Sequence, residues 1–249
     1  DNPRHPTTWH ARDYGLCAAN PFGLSYFEKK PKGAGDMEIK SGGSVTFKYR
    51  VLVHNGTADE AGVETLFQAY ATKPVPVPIF NGTDFTGWKV PKNNIWWTVH
   101  DGMISVKSGP EKKGSTLWTE KNYRDFIVET EFRYGEGTVD SGIFIRTGKQ
   151  QVQLGISGSL KRDMTGSVYV PGRGYPKEAE GVKELLKPRD WNSMTIQAVG
   201  NVYTVWLNGT QVLVFEAEQA IEEGPIGLQL HPGKIMAIDF RNIRLAELE

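Results

Sequence analysis

Apolar and polar residues alternate with a period of two in short runs along most of the chain. These runs are rich in Val, Ile, Phe, Tyr and Trp, they are separated by Gly, Asn and Asp, and helical periodicity is scarce. The pattern predicts an all-β protein. The predicted strands are Ser44–Asn55, Trp97–Val106, Phe126–Tyr134, Gly142–Thr147, Gln151–Ile156, Trp191–Ala198, Val202–Leu207, Gln211–Glu216, Gly227–His231 and Ile235–Leu245.

The tripeptide Asn-Gly-Thr occurs at Asn55, Asn81 and Asn208. It matches the acceptor pattern for N-glycosylation, but Asn-Gly is also the strongest short signal for a tight β-turn. We favour turns at all three. At Asn208 the flanking strands make a β-hairpin the most secure element of the prediction.

The stretch VDSGIFIRTGKQQVQL, residues 139–154, predicts two strands with one polar face. Alternation places Phe144 and Arg146 together on the first strand, opposite its isoleucines, and Gln151 and Gln153 together on the second. If the strands are neighbours, two amides lie beside a guanidinium and a ring on an exposed face. Such groups suit a sugar, whose hydroxyls need donors and acceptors and whose apolar face stacks on aromatic rings. A solvated outer face of an antiparallel sheet is the alternative.

The sequence TKPVPVP at Thr72–Pro78 predicts an extended linker, because proline cannot donate to a sheet interior. It separates a partial β-sandwich segment, residues 1–71, from residues 79–249, which have the size of a two-sheet jelly roll. Within the larger part, a long excursion from Ser157 includes GRGY at Gly172–Tyr175 and a short predicted helix at Lys177–Leu186. Long loops of this kind often carry binding function.

Charge and composition exclude several classes of function. The 29 basic residues balance the 29 acidic ones and do not cluster, which argues against nucleic-acid binding. One cysteine permits neither an intramolecular disulfide nor a thiolate metal cluster within this chain. No apolar run is long enough to span a membrane, and the chain opens at Asp1 without methionine, as a processed or fragmentary product would.

From Ile79 to Leu248 the chain resembles the 3-keto-disaccharide hydrolase domain family. The resemblance rests on short motifs in the same order, which are IFNGTDFTGW (79–88), WTVHDGMISV (97–106), FIVETEFR (126–133), DSGIFIR (140–146), TGSVY (165–169), WNSMTIQAVG (191–200), VWLNG (205–209), GPIGLQLH (224–231) and FRNIRL (240–245). The resemblance implies a concanavalin-like, two-sheet jelly roll. It also implies a secreted or periplasmic bacterial protein that acts on glycosides oxidised at C3.

One departure from the family bears on mechanism. Where the family usually reads Tyr-Glu-Val-Gln-Ile, this chain reads Gln150-Gln151-Val152-Gln153-Leu154, so an amide replaces an expected carboxylate. An amide does not titrate, whereas conventional glycosidases need two carboxyl groups. Elimination from a 3-keto-glycoside needs only one base and a stabiliser for the enolate. The first hypothesis is therefore a hydrolase or lyase for 3-keto-glycosides. A non-catalytic carbohydrate-binding module is the alternative, and a structural or assembly role is the third.

Three residues are candidates for moving the proton, and five are candidates for holding the sugar. The catalytic candidates are Glu131, Asp140 and His231, and the substrate-binding candidates are Phe144, Arg146, Gln151, Gln153 and Tyr169. Arg146, Gln153 or a divalent cation could stabilise an enolate. No cluster with metal-ligand spacing is present, so no residue is assigned to a metal, and calcium is an expectation from the fold alone.

Residues Asn2–Phe22 and Ser41–Gly56 resemble the carboxyl-terminal part of a family described as PmoA-like, whose activity is obscure. In the predicted strand VTFKYRVLVH, Val45, Phe47, Tyr49 and Val51 share an apolar face that must be covered. The jelly roll, a protein partner or a second chain would cover it.

The sequence also predicts which tryptophans lie in the core. Trp191 and Trp206 lie in alternating apolar strands and are expected in the core. Trp88, Trp96 and Trp97 gather near predicted turns, and at least two of these three are expected in the core as well.

Overall fold

The computed structural model describes residues 2–4, 7–47, 49, 51–65, 67 and 74–248, and it divides the chain into two compact units, Asp1–Ala71 and Thr72–Glu249. The first unit contains an antiparallel pair of strands, β1 (Thr8–Ala11) and β2 (Cys17–Asn20), followed by the short helix α1 (Leu24–Phe27).

The predicted strand Ser44–Asn55 is wrong for the residues that the structure describes. None of these is assigned to a strand, while Lys48 and Arg50 lie outside the described residues. A strand needs a neighbour for its backbone hydrogen bonds, and β1 and β2 pair only with each other. Val51 and Val53 are consequently exposed.

The second unit contains two antiparallel sheets. The smaller sheet is formed by β4 (Trp88–Lys89), β7 (Ser115–Thr119), β9 (Asp140–Phe144), β10 (Gln151–Gly155), β11 (Val168–Tyr169) and β15 (Gly227–Leu230). Its order is β11-β10-β9-β15-β7-β4. We call it the six-stranded sheet.

The larger, eight-stranded sheet is formed by β3 (Val77–Pro78), β5 (Trp97–His100), β6 (Met103–Lys107), β8 (Asp125–Gly137), β12 (Asn192–Val199), β13 (Val202–Leu207), β14 (Thr210–Glu216) and β16 (Met236–Leu248). Its order is β14-β13-β12-β8-β16-β6-β5, and β3 pairs with β16. A second short helix, α2 (Val182–Leu185), occupies part of the predicted helical segment. No helix among the described residues is long and apolar enough to cross a bilayer.

The hydrophobic core lies between the two sheets. Ile143 and Val152 from the six-stranded sheet join one buried cluster with Val128 and Phe240 from the eight-stranded sheet. Alternation along each strand sends the other side chains to the two outer faces. The prediction of an all-β, two-sheet jelly-roll sandwich is thus confirmed.

Turn chemistry decides two strand boundaries. Asn208 and Gly209 both have positive φ, 49° and 81°, and join β13 to β14, which confirms the predicted hairpin. Asp101 and Gly102 adopt the same kind of turn, with φ of 49° and 75°, and split the predicted strand Trp97–Val106 into β5 and β6. The end of the predicted linker also belongs to a sheet, because Val77 pairs with Leu245.

Arg146 is not on the outer face where alternation predicted it. Strand β9 ends at Phe144, and Arg146 adopts a left-handed φ of 59°, which takes it out of the alternation. Its side chain is fully buried. The guanidinium donates to the backbone oxygens of Gly200 (2.6 Å), Ala198 (3.2 Å) and Ile221 (3.2 Å).

The same guanidinium forms an ion pair with Asp125 at 2.9 Å and lies 5.8 Å from the ring centre of Phe126. Arg146 therefore joins the start of β8, the β12–β13 turn and the segment before β15. This is a structural role that replaces the predicted role in sugar binding.

We expect Arg146→Ala to lower the free energy of unfolding by about 3 kcal/mol or more, because it removes the buried ion-pair partner of Asp125 and a donor to three carbonyl oxygens. Urea denaturation would measure the loss. The matched control is Arg124→Ala, which removes an ion pair with Glu222 at the surface. An exposed pair of this kind contributes less than about 1 kcal/mol. Equal losses in the two variants would contradict the structural role of Arg146.

Candidate functional site

The outer face of the six-stranded sheet collects most of the residues that the sequence proposed for a site. Strands β9 and β10 pair with Gln151 opposite Phe144 and Gln153 opposite Gly142. On the other side of β10, Tyr169 is opposite Gln151. These side chains therefore share one face, as the alternation predicted. The face is buried rather than exposed, since Gln151 retains only 4% and Gln153 only 1% of its accessible surface.

A chain of hydrogen bonds runs along this face. Gln151 donates its amide Nε2 to Oε1 of Gln153 at 3.0 Å, and Gln153 donates its Nε2 to Oδ1 of Asp140 at 2.9 Å. An ionised carboxylate only accepts, so Asp140 fixes the orientation of both amides. We call these two hydrogen bonds the amide relay. Asp140 is the acceptor at its end.

Three acceptor oxygens on the face have no donor among the described residues. They are Oδ2 of Asp140, Oε1 of Gln151 and Oε1 of Gln229. The register between β15 and β9 carries Gln229 to the same face, beside Gly142. A buried acceptor without a donor costs about 1–3 kcal/mol, so such atoms are rare and need an explanation. Their concentration on one face indicates a site for a ligand that offers hydrogen-bond donors.

His231 follows β15 directly and lies at the Asp140 end of the relay. Its Nδ1 is 2.8 Å from the carbonyl oxygen of Pro232 and 3.8 Å from Oδ2 of Asp140. A carbonyl oxygen can only accept, so Nδ1 carries a proton, and in the neutral ring Nε2 keeps its lone pair. The ring is 37% exposed. His231 therefore has one ring nitrogen, Nε2, that can accept a proton, while its Nδ1 lies near Asp140.

Aromatic rings border the relay on both sides. Trp118 of β7 stacks on Phe144 with a centroid distance of 5.2 Å and an interplanar angle of 25°. Gly227 makes room for this indole, because a Cβ there would lie 2.6 Å from the ring. On the β11 side, the rings of Tyr169 and Tyr175 meet edge to face at 5.4 Å.

Tyr175 comes from the GRGY loop and adds a hydrogen-bond donor. Burial raises the pKa of its hydroxyl, and the negative charge of Asp140 contributes in the same direction, although a hydrogen bond with Ser157 opposes the shift. The hydroxyl therefore stays protonated at neutral pH. Gly158 lies close to the same carboxylate, since a Cβ there would be 2.9 Å from Oδ2 of Asp140.

Three residues of this face were not among the candidates from the sequence. Gln229 could have been found, because alternation in GLQLH places it on the same face as His231. Trp118 lies in Ser115–Thr119, which was not predicted as a strand. Tyr175 reaches the site from a loop, and no local pattern fixes the path of that loop.

Glu131 does not join this face. It lies on β8 in the eight-stranded sheet and accepts a hydrogen bond from Nε of Arg241 at 2.6 Å. Arg241 in turn stacks over Trp191, 3.9 Å from the ring centre. These side chains are on the outer face of the other sheet, across the core from Asp140. The prediction that Glu131 shares a site with Asp140 and His231 is wrong.

The described residues contain no group of three or more His, Cys, Asp or Glu side chains that could hold a metal ion. Oxygen atoms of Asp140, Gln151 and Gln229 are of the type that calcium prefers, but only Asp140 supplies a negative charge. A calcium ion on this face stays a prediction.

The fold is a β-sandwich whose buried outer face combines a few polar groups with aromatic rings, as small-molecule binding sites do. Residues 75–246 match the family described as the 3-keto-alpha-glucoside-1,2-lyase-like domain, and the chain belongs to that family. Residues 1–68 match DUF6807, a family of unknown function, so the predicted PmoA-like resemblance is not confirmed. No curated protein matches the chain.

Solved structures show the same fold. Two crystal structures from Parabacteroides distasonis ATCC 8503, each named "putative glycosyl hydrolase", resemble this chain with TM-scores of 0.53 and 0.54 at 22% and 21% sequence identity. Each covers 70% of this chain, and the matched regions cover 94% and 100% of the two known chains. A third structure with that name, from the same organism, has 24% identity and a TM-score of 0.50 and covers 70% of this chain and 84% of its own. At these identities the likeness establishes the fold alone.

We expect Gly142→Ala to displace the relay without unfolding the protein. A Cβ at Gly142 would lie 2.7 Å from Cδ of Gln151, and the flexible amide is the group that would move. The cost in stability should stay near 1 kcal/mol, because a side-chain shift relieves the contact. The side-chain amide resonances of Gln151 and Gln153 in NMR spectra would report the displacement.

The matched control is Gly148→Ala, where a Cβ would lie an ordinary 3.7 Å from the Trp118 ring. It should leave both glutamine amides in place. Unchanged amide resonances in Gly142→Ala would show that Gln151 does not lie against Gly142.

Proposed function

We propose that this chain cleaves the glycosidic bond of a 3-keto-glycoside by elimination, with His231 as the base. The observation that carries the proposal is the position of His231 beside Asp140. The Nδ1 proton of His231 is held by a backbone carbonyl, and next to the ring lies a buried carboxylate oxygen without a donor. Membership of a family described as 3-keto-alpha-glucoside-1,2-lyase-like supports the choice of substrate class.

The elimination needs one base in its first step. A carbonyl at C3 of the sugar acidifies the proton at C2, and Nε2 of His231 takes that proton to form an enolate. The enolate electrons then form a double bond between C1 and C2 as the bond from C1 to the glycosidic oxygen breaks. The leaving oxygen takes up a proton, and the products are an alcohol and an unsaturated 3-keto sugar. Addition of water across that double bond would complete a net hydrolysis.

The remaining residues bind and orient the sugar in this proposal. Oδ2 of Asp140 and the free Oε1 atoms of Gln151 and Gln229 accept hydrogen bonds from sugar hydroxyls. Trp118 and Phe144 provide the stacking surface for the pyranose ring. The protonated hydroxyl of Tyr175 donates to the developing negative charge, a role that the sequence had suggested for Arg146.

A non-catalytic carbohydrate-binding module is the second candidate. The observation that favours it is Gln151, an amide that stands where the resemblance led us to expect a carboxylate. Such a module would use the same acceptors and rings but would move no proton. A periplasmic or secreted location, expected from the same resemblance, suits either function and stays a prediction.

The purified chain should release the aglycone from a chromogenic 3-keto-α-glucoside, and His231→Ala should lower kcat by at least about a hundredfold, the usual contribution of a general base. Asp140→Asn should also lower the rate. The matched control is Glu131→Gln, a change of the same kind on the opposite face, and it should keep the wild-type rate. Parallel assays with EDTA and with added calcium would show whether a cation takes part.

Deuterium labelling at C2 of the sugar separates elimination from direct displacement. Deuterium at C2 should slow release if removal of that proton limits the rate. Wild-type rates in His231→Ala would contradict the proposal. No release by the wild type, together with sugar binding by calorimetry that depends on Asp140, would instead establish the binding module.

A further inference from the structure

The outer face of the eight-stranded sheet carries a second polar depression, across the core from Asp140. Its volume is about 630 Å³. Its walls are strands β8, β12 and β16 with the start of the second unit, and its polar lining residues include Asn81, Glu129, Glu131, Ser193, Thr195 and Arg244. We call it the outer groove. Ligand pockets for small molecules have volumes of about 300–1,000 Å³, so its size suits a short oligosaccharide.

A β-bulge in β16 shapes this groove. Arg241 is opposite Glu131 and Arg244 is opposite Glu129, so β16 contains one residue more than β8 between these two pairs. The extra residue is accommodated by Asn242, which has a left-handed φ of 52°. Bulges re-aim side chains and often accompany functional sites.

On either side of the bulge lies one Glu/Arg pair, and the two pairs differ in whether they form an ion pair. Glu131 and Arg241 are bound to each other at 2.6 Å. Within the part of the chain that the structure describes, Glu129 and Arg244 form no ion pair, although they are opposite each other in the sheet and both line the groove. A free carboxylate and a free guanidinium thus face the same depression.

An aromatic and a hydroxyl side chain lie next to Glu129 and Arg244 in a row across the strands of the sheet. Thr195 lies between Glu129 of β8 and Trp206 of β13, and all three point away from the core. Trp206 is half-buried, and it is absent from the buried core where the sequence placed it. The row therefore places an acceptor, a hydroxyl and, beside the groove rather than in its lining, an indole on one face, with the donor Arg244 beyond Glu129.

We propose that the outer groove is a second, non-catalytic binding site for a neutral oligosaccharide. Each sugar hydroxyl both donates and accepts, so adjacent hydroxyls can bind Glu129 and Arg244 together, and an indole face suits the apolar side of a pyranose. The two opposite charges balance, which favours a ligand without net charge. This site is independent of the chemistry at His231. It would hold a glycan chain on the protein while the face that carries His231 cleaves the glycosidic bond.

Calorimetry with two neutral glucans, maltohexaose and cellohexaose, tests the proposal on the full chain. The wild type should bind at least one of them, and Arg244→Ala and Trp206→Ala should each lower the affinity about tenfold, the loss of one charge-assisted hydrogen bond or stacking contact. The matched control is Lys107→Ala, which removes an exposed cation from β6 in the same sheet and leaves the groove intact. Thermal unfolding would verify that each variant is folded.

Two further measurements separate this site from the proposed catalytic one. His231→Ala should keep the glucan affinity, and Arg244→Ala should keep the turnover of a small 3-keto-glucoside. No binding of either glucan up to its solubility would overturn the proposal, and so would binding that survives both Arg244→Ala and Trp206→Ala. Since Arg244 is exposed, its substitution tests the groove even if Trp206→Ala fails to fold.

Discussion

Burial of every second side chain between two sheets is the constraint on which the rest of this structure depends. A strand with a period of two can give only one set of side chains to a shared core, and the other set must lie on an outer face. In the second unit the core set is apolar on both sheets, as with Ile143 and Val128. The outer sets combine polar and aromatic side chains, and they form two separate surfaces with no direct contact through the core. Both proposed sites are consequences of that separation.

Where the alternation continues, the sequence correctly predicted which side chains share a face. Phe144, Gln151 and Gln153 were placed on one face from their spacing alone, and the register of β9 and β10 brings them together there. Asp140, at the start of β9, and His231, directly after the neighbouring strand β15, come within 3.8 Å of each other. The fold class followed from the same pattern and from turn residues such as Asn208 and Gly209.

Where the backbone leaves the extended conformation, the sequence prediction failed. Arg146 comes two residues after the end of β9, and its positive φ takes it into the buried network with Asp125. Glu131 was assigned to the right kind of strand, but the strand belongs to the other sheet, and alternation does not say which sheet a strand joins. Trp118 and Tyr175 reach the face from a short strand and a loop, so only the tertiary structure brings them to it.

The amide relay has a consequence for the character of the site. Both glutamines are oriented by a single group, because the carboxylate of Asp140 can only accept and each amide passes that direction to the next. A residue at position 140 that could also donate would allow both amides to rotate, and Gln151 would then present an N–H where it now presents an oxygen. One atom at the end of the relay, Oδ1 of Asp140, thus determines whether Gln151 presents an acceptor or a donor at the far end of the face. In the proposed site, ligand selectivity would therefore depend on the direction of these hydrogen bonds as well as on the positions of the side chains.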